Sequence, residues 1–293
     1  MNWYTLVLLA LLIGTVIVEY RAKMHPSPES QENRKRLFSW WLIASTLLLV
    51  VSAGEWMFTV FVFLLILFAT YEAVQLFGLR WGASIILPTL MFMGINYSLI
   101  SWLSPHHVSL LAPFAFFLLL RGFGLWTRNP TYRKLFFFLF LITSIQSLVM
   151  ISNLGPLLGG TSQSLLFSLF FLTSINDIGQ YVFGKWLGTH KLAPAISPQK
   201  TIEGALGGIL TTAVCGLLIL PWSVDISAVY GFFIGAALGF LGICGDLNIS
   251  SFKRAAGRKH SGSLIPGLGG ILDRIDSLTL TAPAFGIFLL VIK

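Results

Sequence analysis

Asp273 and Asp276 stand three residues apart, a spacing that turns two side chains onto one face of a helix. Two carboxylates placed this way repel each other unless a cation lies between them. Magnesium is the natural candidate, a hard ion held by a few carboxylates together with phosphate oxygens. Asp246 ends the preceding apolar run and can approach from the facing helix as a further ligand. Between these acids lie Lys253, Arg254, Arg258, Lys259 and His260, with Arg274 between the paired carboxylates. Such a set supplies the neutralising charge that a triphosphate requires. The run Pro266-Gly267-Leu268-Gly269-Gly270 permits close backbone approach, and its amides, Gly269 and Gly270 included, could cradle an anion. A basic loop by itself is ordinary membrane topology, and Asp-Arg-x-Asp by itself can be a solvated helix start. Carboxylates, basic cluster and glycine loop together between residues 246 and 276 point instead to a metal–phosphate site.

A second polar stretch lies upstream. Asn176, Asp177 and Gln180 fall on an apolar helix about two turns before its end, where a carboxylate is costly unless paired, hydrated or bound to a cation. Asp177 is therefore either a helix-packing group or part of a cavity facing the site. Ser197-Pro198 reads as a helix start, with Ser as N-cap and Pro at the first helical position. Lys200 would then sit in the first turn, where it suits a bound anion. Glu203 serves the helix electrostatics or the site; the residues leave both open.

These groups must be positioned by membrane helices. Of 293 residues, 56% are hydrophobic and only 10% charged, far below the roughly 25% charged residues of soluble domains. A crossing needs about 20 apolar residues. Such runs occur at approximately 3–18, 38–53, 56–76, 83–103, 106–121, 132–152, 163–184, 203–220, 228–247 and 273–291. The expected fold is all-α, a polytopic integral membrane protein with about ten transmembrane helices. With the N-terminus outside, every lysine and arginine except Lys293 falls in an inside loop or at an inner helix end, as the positive-inside rule demands. The formal charge of +8 is thus topological and argues against a nucleic-acid partner. Residues 1–155 read as a transmembrane scaffold. Residues 156–293 read as a catalytic region with cytoplasmic loops at 185–202 and 248–272.

Other features read as structural. The run from Trp3 to Val18 lacks a basic n-region and a cleavage site, so it is expected to be a retained helix. Cys215 and Cys244 lie inside apolar stretches as small core residues. His106 and His107, being adjacent, point apart on a helix and make a poor metal pair. Pro88 is a tolerated kink. No internal repeat is evident, which weakens a transporter reading.

At these residues the chain resembles the phosphatidate cytidylyltransferase (CDP-diacylglycerol synthase) family. The resemblance is carried by Ser250-x-x-Lys253-Arg254, Lys259-His260 and Gly269-Gly270-x-x-Asp273-Arg274-x-Asp276, with Gly245-Asp246-Leu247 before them. The stretch Ser197-Pro198-x-Lys200-Thr201-x-Glu203-Gly204 adds to it, and the match covers roughly residues 174–290. It implies a bacterial inner-membrane enzyme with its site facing the cytoplasm, transferring CMP from CTP to a lipid phosphate, by default phosphatidate. The implied catalytic residues are Lys253, Arg254, Asp273 and Asp276, and the implied metal is Mg2+ on Asp246, Asp273 and Asp276. Substrate contacts are expected from Asn176, Asp177, Lys200, Lys259, His260, Gly269, Gly270 and Arg274. Its partners would be CTP, the lipid phosphate and membrane lipids, with a homodimer left open.

Three positions depart from the family pattern. His260 replaces an Asp, Leu268 replaces a His before Gly-Gly, and Ile249 replaces an acid after Gly-Asp-Leu. They mark a divergent branch and leave the acceptor lipid open. A phosphomonoester is already mostly ionised near neutral pH, its second pKa being about 6, so loss of a histidine base need not abolish transfer. His260 either donates to phosphate or is an ordinary loop residue. Two other readings stand beside the enzyme: a paralogue that binds lipid or nucleotide without turnover, and a transporter using Asp177. Replacing Asp273 or Asp276 by Asn is expected to remove activity with little loss of folding.

Overall fold

Where water is scarce, backbone polar groups must satisfy one another, and long apolar runs therefore fold as helices. The computed structural model of the chain describes residues 3–24, 28–80, 82–103, 130–155, 158 and 160–291. It is helical almost throughout. Four helices occupy the first part: α1 (Trp3–Met24), α2 (Pro28–Ser52), α3 (Glu55–Leu76) and α4 (Ala83–Leu103). After these come α5 (Pro130–Leu154), α6 (Ser162–Leu187), α7 (Ile202–Ser223), α8 (Ala228–Ala255), the single turn α9 (Leu272–Ile275) and α10 (Leu278–Val291). An antiparallel hairpin, β1 (Lys191–Ala193) and β2 (Ser197–Thr201), joins α6 to α7.

Among the described residues, seven helical segments are long and apolar enough to cross a membrane. They are Gln31–Ser52, Glu55–Leu76, Lys134–Leu154, Ser162–Leu187, Ile202–Ser223, Ala228–Ala255 and Leu272–Val291, with a shorter apolar helix at Ile85–Ile95. The runs expected at 3–18 and 83–103 are helical as α1 and α4. The run at 106–121, with His106 and His107, lies outside the described residues.

The core sits where α3, α5, α6 and α10 meet. Val62, Ile66, Leu141, Ile151, Leu165, Leu169, Leu172 and Phe285 are buried there. At one end of this core an aromatic cluster ties three helices together. Phe137 lies edge-on to Phe77 at 5.2 Å and packs against Phe252 at 4.4 Å between ring centroids.

Helices α6, α7 and α8 pack closer than large side chains would allow. A Cβ at Gly231 would stand 2.6 Å from the Gly216 carbonyl oxygen, and one at Gly239 would stand 2.9 Å from the Ile209 Cα. Small residues permit this backbone approach between membrane helices, where burial away from water gives no drive to associate. Gly231→Val should therefore force α7 and α8 apart, at about 1–3 kcal/mol for overpacking. A lower melting temperature in detergent would register it.

Helix boundaries differ from expectation at two places that bear on the site. Ser197-Pro198 does not start a helix: both residues lie in β2, and α7 starts four residues later. The cap is Thr201, whose side chain accepts from Gly204 N at 3.1 Å. Proline is tolerated in a two-stranded hairpin because an edge strand need not donate from every N–H, so the Ser-Pro signal is ambiguous. Helix α8 runs on to Ala255 rather than ending near 247, which shortens the following loop to 256–271. The chain alternates so that the end of α3, the end of α6, the start of α7, the end of α8 and the α9 turn lie at one end of the bundle.

Candidate active site

Asp246, Ser250 and Lys253 are spaced at four and three residues, so α8 presents them along one face. Asp246 Oδ1 accepts from Ser250 Oγ at 3.0 Å, and its Oδ2 pairs with Lys200 Nζ at 2.6 Å. Lys200 arrives from β2, not from the first turn of α7, and its ammonium also donates to Gln180 Oε1 at 2.8 Å. Gln180 in turn donates to Asp177 Oδ1 at 3.2 Å. A polar chain thus runs Asp177, Gln180, Lys200, Asp246, Ser250 across α6, β2 and α8. Glu203 stands aside, its carboxylate accepting from Thr189 N, Thr189 Oγ1 and His190 N at 2.7–3.2 Å. It ties the entrance of the hairpin to the start of α7, so it holds Lys200 in place indirectly.

Lys253 is the centre of the second half. It is 6% exposed, and its ammonium lies 2.7 Å from Asp273 Oδ1 and 3.7 Å from Asp276 Oδ2. The two carboxylates do share one side of the α9 turn, with Asp276 as its C-terminal residue in helical conformation. The cation between them is this lysine. Asp273 is further bound through Oδ2 to the backbone N–H groups of Ser261 and Gly270, at 3.1 and 3.2 Å. Removing either partner of a buried pair leaves an uncompensated charge and is strongly destabilising, so Lys253 holds the loop as well as the charge.

The glycine run does not offer a free cradle of amides. Leu268 N and Gly269 N both donate to the Ile265 carbonyl at 3.1 Å, and Gly270 N is engaged by Asp273. Gly269 is needed for the turn itself, since its φ of 90° lies in a region where a side chain is strained. Arg254 is engaged by backbone: its Nε donates to the Ile196 carbonyl and its Nη1 to the Arg258 carbonyl, both at 3.0 Å. It fastens the hairpin turn to the loop after α8. Arg258, Lys259, His260 and Arg274 are exposed around the cluster. His260 Nδ1 reaches within 3.5 Å of Asp273 Oδ2, while Arg274 is an electrostatic neighbour of Asp177. Asn176 lies elsewhere. It is fully buried between α6, α7 and α8, donating to the Gly239 carbonyl at 3.2 Å.

One participant has no counterpart among the residues singled out from the sequence. Glu72 of α3 is 2% exposed, and its carboxylate accepts from Ser261 Oγ, Ile271 N and Leu272 N at 2.8–2.9 Å. A carboxylate inside the apolar run 56–76 is the signal that would have marked it, because ionisable groups at such depth are functional by default. Helix α2 also reaches the loop, with Arg36 Nε on the Gly267 carbonyl and Ser39 Oγ on the Pro266 carbonyl.

The donor chemistry suits a hard divalent cation. Asp177, Asp246 and Asp276 lie close enough to interact electrostatically, and with Asp273 they outnumber the two lysines among them. Among the described residues no three His, Cys, Asp or Glu side chains form a ready-made metal cage. Magnesium normally takes one or two carboxylates and completes its octahedron with waters and phosphate oxygens, which Asp246 and Asp276 can supply in part. Such a cluster can bind a polyphosphate through a cation and lysines, and position a second phosphate beside it.

Comparison with known proteins bears on this chemistry. Residues 34–292 match the cytidylyltransferase family. The chain is 34% identical over 290 residues to the uncharacterized protein YnbB of Escherichia coli (strain K12), covering 95% of this chain and 94% of that one. It is 38% identical over 172 residues to the phosphatidate cytidylyltransferase of Haemophilus influenzae, covering 56% of this chain and 59% of that enzyme. With the phosphatidate cytidylyltransferase of Synechocystis sp. the identity is 49% over 110 residues, 36% of each chain.

Proposed function

The chain belongs to the cytidylyltransferase family, and on that premise we propose that this membrane nucleotidyltransferase moves CMP from CTP to a lipid phosphate, by default phosphatidate. The observation that carries the reading is the convergence of Lys200–Asp246 and Lys253–Asp273–Asp276 at one end of the bundle. In the reaction an oxygen of the lipid phosphate bonds to the α-phosphorus of CTP, and the bond from that phosphorus to the bridging oxygen breaks. Pyrophosphate leaves with the electron pair. The attacking monoester is already ionised, so no side chain has to remove a proton. What remains is positioning and charge stabilisation, which dominate phosphoryl-type transfer.

Lys200 and Lys253 supply positive charge from fixed positions, held by carboxylates on two elements, α8 and the α9 turn. Arg274, Lys259 and His260 add donors at the exposed rim. Asp246 and Asp276, with Asp273 behind them, would hold magnesium, which supplies neutralisation of the triphosphate when bound. In this reading the chain has about ten crossings, both termini outside, and the site opens to the cytoplasm of a bacterial inner membrane. The basic residues clustered at the same helix ends support that orientation.

Three residues favour a second reading, a chain that binds without robust turnover. Ile249 and Leu268 are buried and His260 is exposed, so none of the three contributes the group the family pattern carries there. A single experiment separates the readings. Detergent-purified protein with labelled CTP, Mg2+ and phosphatidate should release pyrophosphate and form CDP-lipid, and chelating the metal should stop it. No product from any lipid phosphate with well-folded protein overturns the enzyme reading. Activity appearing only after His260→Asp with Leu268→His favours the weak paralogue.

A further inference from the structure

We infer that Glu72 is a positioning residue that sets the site from the N-terminal half of the chain. Its carboxylate is the acceptor for both backbone N–H groups that open the α9 turn and for the Ser261 hydroxyl, at 2.8–2.9 Å. The same two loop segments carry the N–H groups of Ser261 and Gly270 that hold Asp273. Glu72 and Asp273 therefore hold the same two stretches of backbone, and Asp273 in turn orients Lys253. The fit is close: a Cβ on Gly262 would come within 2.7 Å of Glu72 Oε1, and one on Gly270 would overlap both Glu72 and Ser261. The glycines at these positions leave room for the carboxylate.

A buried carboxylate is costly in an apolar run unless charge-assisted hydrogen bonds satisfy it. Here every partner belongs to the loop, so the side chain cannot be satisfied by α3 alone. Glutamine at this position keeps the shape and one acceptor oxygen, but it turns an NH2 group toward at least one of the three donors. The clamp loosens while the helix packing remains. Glu72 does not reach the substrate; it acts through Asp273 and Lys253.

The effect on turnover rests on the cytidylyltransferase reading above, but the clamp itself does not. The test compares full-length wild type, Glu72→Gln and Ser261→Ala in detergent, by amide hydrogen exchange across residues 261–276 and by CDP-lipid formation. Glu72→Gln should speed exchange at Ile271 and Leu272, leave exchange in α5 and α10 unchanged, and lower kcat about 10- to 100-fold. That is the range for losing a partner that orients a ligating side chain. The KM for CTP should move much less than kcat, with kcat counted per folded molecule from the melting curve, because loss of folded enzyme alone also lowers apparent kcat at constant KM. Ser261→Ala, which removes one donor of three, should fall between. Unchanged exchange at 271–272 overturns the clamp whatever the turnover. Faster exchange with undiminished kcat overturns the positioning role. Wild type without turnover overturns the enzymatic reading instead, and the exchange measurement still decides the clamp.

Discussion

Asp276→Asn protein is expected to form CDP-lipid at least about 100-fold more slowly than wild type, the size of effect seen when one fixed electrostatic group is lost. Its melting temperature in detergent should stay within about 3 °C, the shift that about 1 kcal/mol produces in a chain of this size. The reason is local. Asp276 stands 3.7 Å from Lys253 and near two other carboxylates, so neutralising it loses a weak attraction and relieves repulsion. Asp273→Asn should lose as much activity and behave differently in stability. Asp273 accepts from Lys253 through one oxygen and from two backbone N–H groups through the other. An amide has one acceptor oxygen, so a buried donor is stranded at about 1–3 kcal/mol. The two substitutions, equivalent when read from the sequence, thus part company on folding. Turnover by Asp276→Asn near the wild-type rate would remove the proposed metal and charge role. Equal melting of the two variants would remove the structural distinction between them.

Lys253→Met should be the most damaging single change. The ammonium is buried between Asp273 and Asp276, and its removal leaves carboxylates facing one another without a cation. Breaking a buried pair by one partner costs about 3–5 kcal/mol. Thermal melting should show the loss, and turnover should vanish. The double substitution Lys253→Met with Asp273→Asn should be more stable than the sum of the two singles, because the uncompensated charge has gone, yet remain inactive. Strict additivity in this cycle would mean that the two groups do not interact.

What the sequence made legible were features governed by local rules. Helical apolar runs followed from length and hydropathy, and the pairing of Asp273 with Asp276 followed from helical spacing. One error, a helix start read four residues early, had a local cause as well. Ser197-Pro198 satisfies the rule for a helix start, yet the N-cap four residues later at Thr201 is equally regular, and the hairpin favours the second. Asn176 sits beside Asp177 in sequence but one helical step away in direction, which turns it into the glycine-lined seam with α7 and α8. Arg254 belongs to the motif pattern, but its guanidinium is engaged by the backbone carbonyls of Ile196 and Arg258, holding the hairpin turn. Glu72 is marked in the sequence by its depth in an apolar run, but what it binds is not. Its partners lie 189 to 200 residues further on, and no periodicity within α3 announces them.

That separation in sequence has a consequence for how the protein is made. During synthesis α3 leaves the ribosome long before residues 261–272 exist, so Glu72 spends that interval in an apolar helix without its three donors. Until they arrive, the nascent helix has reason to keep this end in the watery interface. A polypeptide stopped short of Ser261 would lack all three donors and retain an unsatisfied acid within its helical bundle.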